Sequence, residues 1–85
     1  MKIKSNLKYL RIVNNFSYRK LGQEVGISHV TLHHIEHSNI DNPSVKEINR
    51  LAIFFGVSLD DFVNKDLETL DMKRKEVDDH NSTNK

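Results

Sequence analysis

Apolar residues recur along the chain at the three- and four-residue intervals of amphipathic helices, without the strict alternation of strands. The first predicted helix has Leu7, Leu10 and Val13 on its inner face. Glycine, serine and an asparagine–proline cluster divide the apolar segments that follow. The pattern therefore predicts an all-α domain with five helices, over about residues 6–14, 18–25, 29–37, 44–56 and 58–64.

The second and third predicted helices are separated by a single glycine turn. Gly26 lies between them, where a tight turn needs a residue that tolerates a left-handed backbone. Ser28 follows as an N-cap for the next helix. A helix, a turn of about four residues and a second helix make a helix-turn-helix unit, whose second helix enters the DNA major groove.

Two capping boxes are predicted further along the chain. Ser44 with Glu47 opens the fourth helix, and Ser58 with Asp61, in place of the usual Glu, opens the fifth. The fourth helix ends at Gly56. Its inner face is predicted to consist of five apolar residues, namely Val45, Ile48, Leu51, Ala52 and Phe55.

Residues 66–85 are predicted to form a charged tail, partly helical and then disordered, beyond a helix-turn-helix domain of residues 1–65. Leu67, Leu70 and Val77 suit an apolar stripe on a helix. A lone helix of about twelve residues is marginal in water, so it would need a surface to dock against. Residues 78–85 are expected to be disordered.

Composition limits the classes of protein to consider. Eighty-five residues allow one domain, and the absence of cysteine excludes disulfides and thiolate zinc sites. No long apolar run suggests a signal peptide or a membrane span, so a soluble cytoplasmic protein is expected. No Gly-rich phosphate loop, nucleophile elbow or paired-carboxylate pocket is present, so we expect neither an enzyme nor a cofactor.

The net charge of +1 hides an asymmetry between the two halves of the chain. Residues 1–37 carry a charge of +4 and four of the five histidines, whereas residues 38–85 carry −3. Such a partition suits a protein that binds DNA through one face and a protein through another, but chance in a short chain is an equal alternative.

The segment from Leu7 to Val63 resembles the Xre/Cro-repressor family, the lambda-repressor-like helix-turn-helix proteins. The resemblance extends over all five predicted helices, which makes it more specific than the local motif alone. It rests on these residues, in the family's order and spacing: Arg11, Ser17, Leu21, Gly26, Ser28, Ile35-Glu36, Asn42-Pro43-Ser44, Leu51-Ala52 and Gly56-Val57-Ser58-Leu59.

The resemblance implies roles for individual residues. Arg11 and Glu36 would form an ion pair that ties the first helix to the end of the third. The positions that reach base edges would be His29, Val30, His33 and His34. Contacts to DNA phosphates would come from Ser17, Tyr18, Arg19, Lys20, Ser28, His37, Asn42 and Lys46, although the family usually has glutamine where this chain has Tyr18.

The histidines also allow a metal-binding interpretation. His29 with His33, and His33 with His37, have the i, i+4 spacing that places two imidazoles on one helix face. Zinc normally takes three or four ligands, and no cysteine or suitably placed carboxylate completes the set. We therefore expect no functional metal site. Adventitious binding of nickel or zinc by the histidines is the stronger of the two metal-binding alternatives.

An additional apolar flank on the fourth and fifth helices suggests a dimer interface. Ile53 and Phe54 make the fourth helix apolar nearly all round, which indicates that it is covered on several sides. The alternatives are a docking site for the tail, or a Phe54 that completes the monomer core. The residues predicted for the interface are Ile53, Phe54, Val57, Leu59 and Phe62.

Two functions agree with these features. The first is a sequence-specific transcriptional regulator, a repressor or autoregulator, that binds a double-stranded DNA operator as a homodimer. The second is an antitoxin or a protein-interaction subunit of a larger regulatory complex, with the tail binding a protein partner. The hydrophilic character of the tail favours the first.

Overall fold

The computed structural model describes residues 2–37 and 44–73, and these residues form helices and contain no strand. Five helices lie wholly within these ranges: α1 (Ile3–Val13), α2 (Tyr18–Val25), α3 (His29–His37), α4 (Val45–Phe55) and α5 (Leu59–Asn64). A sixth, α6, covers residues 67–73. The all-α prediction is confirmed. The described residues contain six helices rather than five, because the start of the tail, which was expected to be partly helical, forms α6.

One core unites the first five helices. Each contributes a side chain with no exposed surface: Leu7 from α1, Leu21 from α2, Leu32 from α3, Leu51 from α4 and Phe62 from α5. Full burial of such a side chain stabilises a fold by about 1.5–3 kcal/mol relative to exposure. Within the described residues, no helix is long and apolar enough to cross a membrane.

The first helix starts three residues earlier than predicted. Ile3 is buried, so the apolar stripe of α1 runs through Ile3, Leu7 and Leu10 rather than ending at Val13, which is 54% exposed. The N-terminal end is also held by the backbone, since the Lys2 N–H donates to the Val63 carbonyl at 2.7 Å. The extra turn forms because it has both an apolar contact and a hydrogen-bond partner.

The start of α4 also differs from the prediction. Ser44 precedes the helix, but its side chain makes no capping hydrogen bond. Its ψ of 124° is smaller than the 164° at Ser17 and the 153° at Ser58, both of which do cap. Val45, predicted on the inner face, is 72% exposed, so the buried face of α4 begins at Ile48.

The sixth helix docks on α1 through a buried asparagine. The Asn6 Nδ2 donates to the carbonyls of Phe62 and Lys65, both at 2.7 Å, and its Oδ1 accepts from the Leu67 N–H at 3.0 Å. Leu67 itself belongs to the core. Asn6 therefore joins the end of α5 and the start of α6 to the first helix.

A second contact anchors α6 further along. The Tyr9 hydroxyl donates to Asp71 at 2.5 Å, and this bond, followed by burial, raises the pKa of Tyr9 to about 12. Leu70 packs against the core from the same segment. The start of the tail thus docks on α1, as a short helix in water requires. The predictions for Val77 and for disorder at residues 78–85 lie outside the described residues.

Candidate nucleic-acid interface

The α2–turn–α3 unit has the local features of a helix-turn-helix. The Ser17 hydroxyl accepts the Lys20 N–H at 3.1 Å, which caps α2. Gly26 ends the helix with a φ of 72°, and its N–H donates to the Gly22 carbonyl at 2.8 Å. Ser28 precedes α3 and accepts the Val30 N–H at 3.1 Å. The predicted cap residues and the bounds of both helices are confirmed.

Two residues that hold the turn were not singled out from the sequence. A Cβ at Gly22 would lie 2.5 Å from the Ile27 carbonyl oxygen, so only glycine lets the turn pack this closely on α2. The Arg50 Nη1 of α4 donates to the Gly26 carbonyl at 3.2 Å. A glycine inside a helical pattern was a usable signal for the first residue, but the sequence carried no signal for the second.

The outer face of α3 carries most of the histidines of the chain. His29, His33 and His34 are exposed, and Val30 is 53% exposed. Leu32 lies in the core on the opposite face. All four residues predicted to contact bases therefore lie on the solvent-facing side of α3.

An ion pair fixes the end of α3 to α1. The Arg11 Nε donates to the Glu36 Oε2 at 2.8 Å, and the Arg11 Nη2 donates to Oε1 at 3.2 Å. The Glu36 side chain has no exposed surface and that of Arg11 is 14% exposed. The bond to Glu36 raises the pKa of Arg11, which keeps the guanidinium charged. The structure thus brings together the two residues for which the family resemblance implies an ion pair.

Tyr18 joins this pair as a third member. Its hydroxyl lies 2.9 Å from the Glu36 Oε1 and 3.0 Å from the His37 Nε2. The Arg11 guanidinium lies over the ring, 4.1 Å from its centroid. Burial, and then the bond to Glu36, raise the pKa of Tyr18 above its usual value. The sequence analysis predicts only a phosphate contact for Tyr18. It misses the bonds to α1 and α3, because these partners become neighbours of Tyr18 only in the fold.

The histidine rings of α3 lie close to each other and to Tyr18. The ring centroids of His33 and His37 are 4.4 Å apart, and that of His33 lies 5.3 Å from the Tyr18 ring. Among residues 2–37 and 44–73, no group of three or more histidine, aspartate or glutamate side chains is arranged to hold a metal ion.

The predicted phosphate-contacting residues lie at several points around α3. Arg19 is exposed and makes no ion pair with a described residue, whereas the Lys20 Nζ lies 3.2 Å from the Glu24 Oε1. Lys46, in the first turn of α4, is exposed. Asn42 lies outside the described residues.

The predicted dimer-interface residues divide into exposed and buried ones. Ile53 is 70% exposed, Phe54 39% and Leu59 37%, while Val57 is half-buried. Phe62 has no exposed surface, because it fills the centre of the core, so its assignment to an interface is wrong. Phe54 also packs edge-on against Phe16 of the α1–α2 turn, with ring centroids 5.7 Å apart, and is therefore partly a monomer contact.

Comparison with known proteins decides the family. A helix-turn-helix family model matches residues 7–62, which is more than half of the chain. The chain belongs to the Xre/lambda-repressor-like helix-turn-helix family. It is also similar to an uncharacterized HTH-type transcriptional regulator of Methanocaldococcus jannaschii, with 37% identity over 67 residues. That match covers 78% of this chain and 100% of the relative. No solved structure matches the chain significantly.

Proposed function

We propose that this helix-turn-helix protein is a sequence-specific regulator of transcription, a repressor or autoregulator, that binds double-stranded DNA as a homodimer. The observation that carries the proposal is the combination of a firmly held α3 and its exposed outer face. The Arg11–Glu36 pair and the Arg50 bond fix α3 and the turn before it, so the outward side chains have a defined direction. Membership of the family and the printed name of the relative support the same class of function.

In this proposal α3 enters the major groove. His29, His33 and His34 would donate to, or accept from, purine edges, and Val30 would offer an apolar contact to a thymine methyl. These contacts distinguish base pairs because the major groove displays a different pattern of donors, acceptors and methyl groups for each one.

Phosphates would be held by residues that flank α3. Arg19 lies in the first turn of α2, where a cation opposes the helix dipole unless an anion is bound nearby. Ser17, Lys20, Ser28, His37, Asn42 and Lys46 complete the proposed set of contacts to DNA phosphates. Tyr18 is left out of this set, because its hydroxyl already bonds to Glu36. The charge of +4 on residues 1–37 would supply the long-range attraction.

The first prediction tests DNA binding directly. Selection from a random duplex pool should yield a shared motif, and affinity for that duplex should fall steeply as salt rises. Arg19→Ala should weaken binding to all duplexes about equally and lower the slope of log affinity against log salt by about one per protomer. Titrations by fluorescence anisotropy at four or five salt concentrations give both quantities.

Lys73→Ala is the matched control, because Lys73 is an exposed cation in α6, outside the helix-turn-helix. It removes the same charge and should leave the slope unchanged. A selection that yields no motif, or an Arg19→Ala protein that behaves like the Lys73→Ala control, would contradict the proposed interface.

We propose that the homodimer forms through the exposed apolar flank of α4 and α5. Ile53, Phe54 and Leu59 are large apolar side chains with substantial exposure, and Val57 lies beside them in sequence. Such a flank is costly to leave in water, and a second copy of the same flank would cover it symmetrically. The two α3 helices would then lie about 34 Å apart, one turn of DNA.

The second prediction concerns this assembly. Ile53→Lys should convert the dimer to a monomer with little effect on the fold, because the side chain is 70% exposed in the protomer. Met72→Lys is the control, since Met72 is 59% exposed but belongs to α6. Sedimentation equilibrium at micromolar concentrations measures the difference. A parent protein that is monomeric there, and binds its site as one monomer, would rule out the homodimer.

A further inference from the structure

The hydrogen bonds around Tyr18 have only one consistent set of directions. Arginine stays protonated in proteins, and its two N–H groups face the two oxygens of Glu36, which makes that carboxylate an acceptor. The Tyr18 hydroxyl, 2.9 Å from the Glu36 Oε1, must therefore donate its hydrogen to it. A phenol has one hydrogen, so nothing is left to donate to His37.

The directions of these bonds also determine which nitrogen of His37 carries the hydrogen. Its Nε2 lies 3.0 Å from the Tyr18 oxygen, which can only accept at this point. The hydrogen of this bond must then come from Nε2. A neutral imidazole has a single N–H, so the Nδ1 of neutral His37 carries a lone pair and no hydrogen.

We propose that Tyr18 is a positioning residue that reserves the Nε2 hydrogen of His37, so that His37 can hold a DNA phosphate only through Nδ1 and only after gaining a second proton. The proposal rests on the function proposed above, in which His37 contacts a phosphate. Phosphate oxygens are acceptors, and the lone pair on Nδ1 of the neutral ring would repel them. The charged ring donates through both nitrogens and keeps its bond to Tyr18.

Among the described residues, four ionisable or charged groups lie around this ring, directly or through Tyr18. Tyr18 comes from α2, Arg11 from α1 and reaches the ring through Tyr18, and Glu36 and His33 lie on α3 itself. Glu36 directly precedes His37 in the chain, and the ring centroids of His33 and His37 are 4.4 Å apart. A phosphate at Nδ1 would be bound by the N–H of the doubly protonated ring and repelled by the lone pair of the neutral one.

Tyr18 keeps its own hydrogen over the relevant pH range. Burial and the bond to Glu36 hold the pKa of Tyr18 above the ordinary phenol value of 10.0, so the hydroxyl stays neutral near pH 7. The directions of the bonds around the Tyr18 hydroxyl therefore stay the same near pH 7.

The third prediction follows by linkage. If binding takes up a proton at His37, affinity strengthens as pH falls from 8 to 6, by about tenfold for each protomer at this site. Tyr18→Phe frees Nε2, so a neutral ring can turn its one N–H to the phosphate. This variant should bind at least as tightly as the parent at pH 8 and should lose that tenfold gain at pH 6.

His37→Gln is the matched comparison, because an amide donates without titrating. It should lose the same tenfold gain, and adding Tyr18→Phe to it should change the pH profile no further. This lack of an additional effect separates action through His37 from a general disturbance of α3. Thermal unfolding of each variant confirms that the proteins compared are folded.

A measurement on the free protein decides the geometry without DNA. Long-range ¹H–¹⁵N spectra at pH 8 should show His37 of the parent with its hydrogen on Nε2, and Tyr18→Phe should shift the ring to a mixture of tautomers. A parent with its hydrogen on Nδ1, or a Tyr18→Phe protein with an unchanged His37 signal or an unchanged pH profile of binding, would overturn the proposal. A parent that binds no duplex would overturn the proposed function instead, and the spectra would still judge the role of Tyr18.

Discussion

Arg11→Met is expected to lower the free energy of unfolding by about 3–5 kcal/mol, because it leaves the Glu36 carboxylate without its cation in a buried position. The methionine replaces part of the apolar volume of the arginine, so the loss reports chiefly the missing charge and its two hydrogen bonds. The bond from Arg11 Nη1 to the Phe16 carbonyl, 3.0 Å long, is lost as well. Chemical denaturation at pH 7, followed by circular dichroism, measures the change.

The double variant Arg11→Met/Glu36→Leu distinguishes the charge from the packing. It removes both ions together, and replacement of a whole buried pair by apolar residues is often neutral or stabilising. We expect the double variant to regain most of the stability lost by Arg11→Met. If the single variant loses under 1 kcal/mol, or the double variant is no more stable than the single one, the pair is not the constraint on α3 that the distances indicate.

The sequence predicts well those helix ends that are marked by a single residue or its nearest neighbours. Ser17, Gly26 and Ser58 mark helix ends through their own side chains or backbone preferences, and the structure has them at those ends. The pattern at Ser44 was equally good, yet its hydroxyl makes no cap. A capping sequence identifies the residue, but it does not determine the backbone angle that the residue adopts in the fold.

Features that depend on distant parts of the chain were harder to predict. A large apolar residue such as Phe62 suits an interface as well as a core. Only the arrangement of the other helices shows that it fills the core. Arg11 and Glu36 were paired through the family resemblance, but Tyr18 was not connected with them. Its partners are 7 and 18 positions away in sequence, and no periodicity links the three.

Asn6 is the clearest case of such a residue, because the sequence offers only an unremarkable polar side chain near the start of α1. In the fold it is 1% exposed and makes three hydrogen bonds to the backbone of the chain near α5 and α6. A buried amide with every partner satisfied specifies one arrangement of the neighbouring segments, since an alternative packing would leave it unpaired.

Asn6→Ala should therefore lower the free energy of unfolding by about 3 kcal/mol, because it leaves the carbonyls of Phe62 and Lys65 and the N–H of Leu67 without their partner. Asn64→Ala is the control. Among the described residues the Asn64 side chain bonds only to Asp60, at 2.8 Å on the exposed surface of α5, and its loss should cost well under 1 kcal/mol. Denaturant titration gives both values.

Hydrogen exchange shows where the loss of Asn6 acts. Since α6 is joined to α1 by Asn6, the Leu67 amide should lose more protection in Asn6→Ala than amides in α2 and α3 do. Asn6→Asp sharpens the test, because a carboxylate keeps the acceptor for Leu67 but points a negative charge at two carbonyl oxygens. It should be less stable than Asn6→Ala. Equal stability of the two Asn6 variants and Asn64→Ala, with unchanged exchange at Leu67, would mean that α6 is held by its apolar side chains alone.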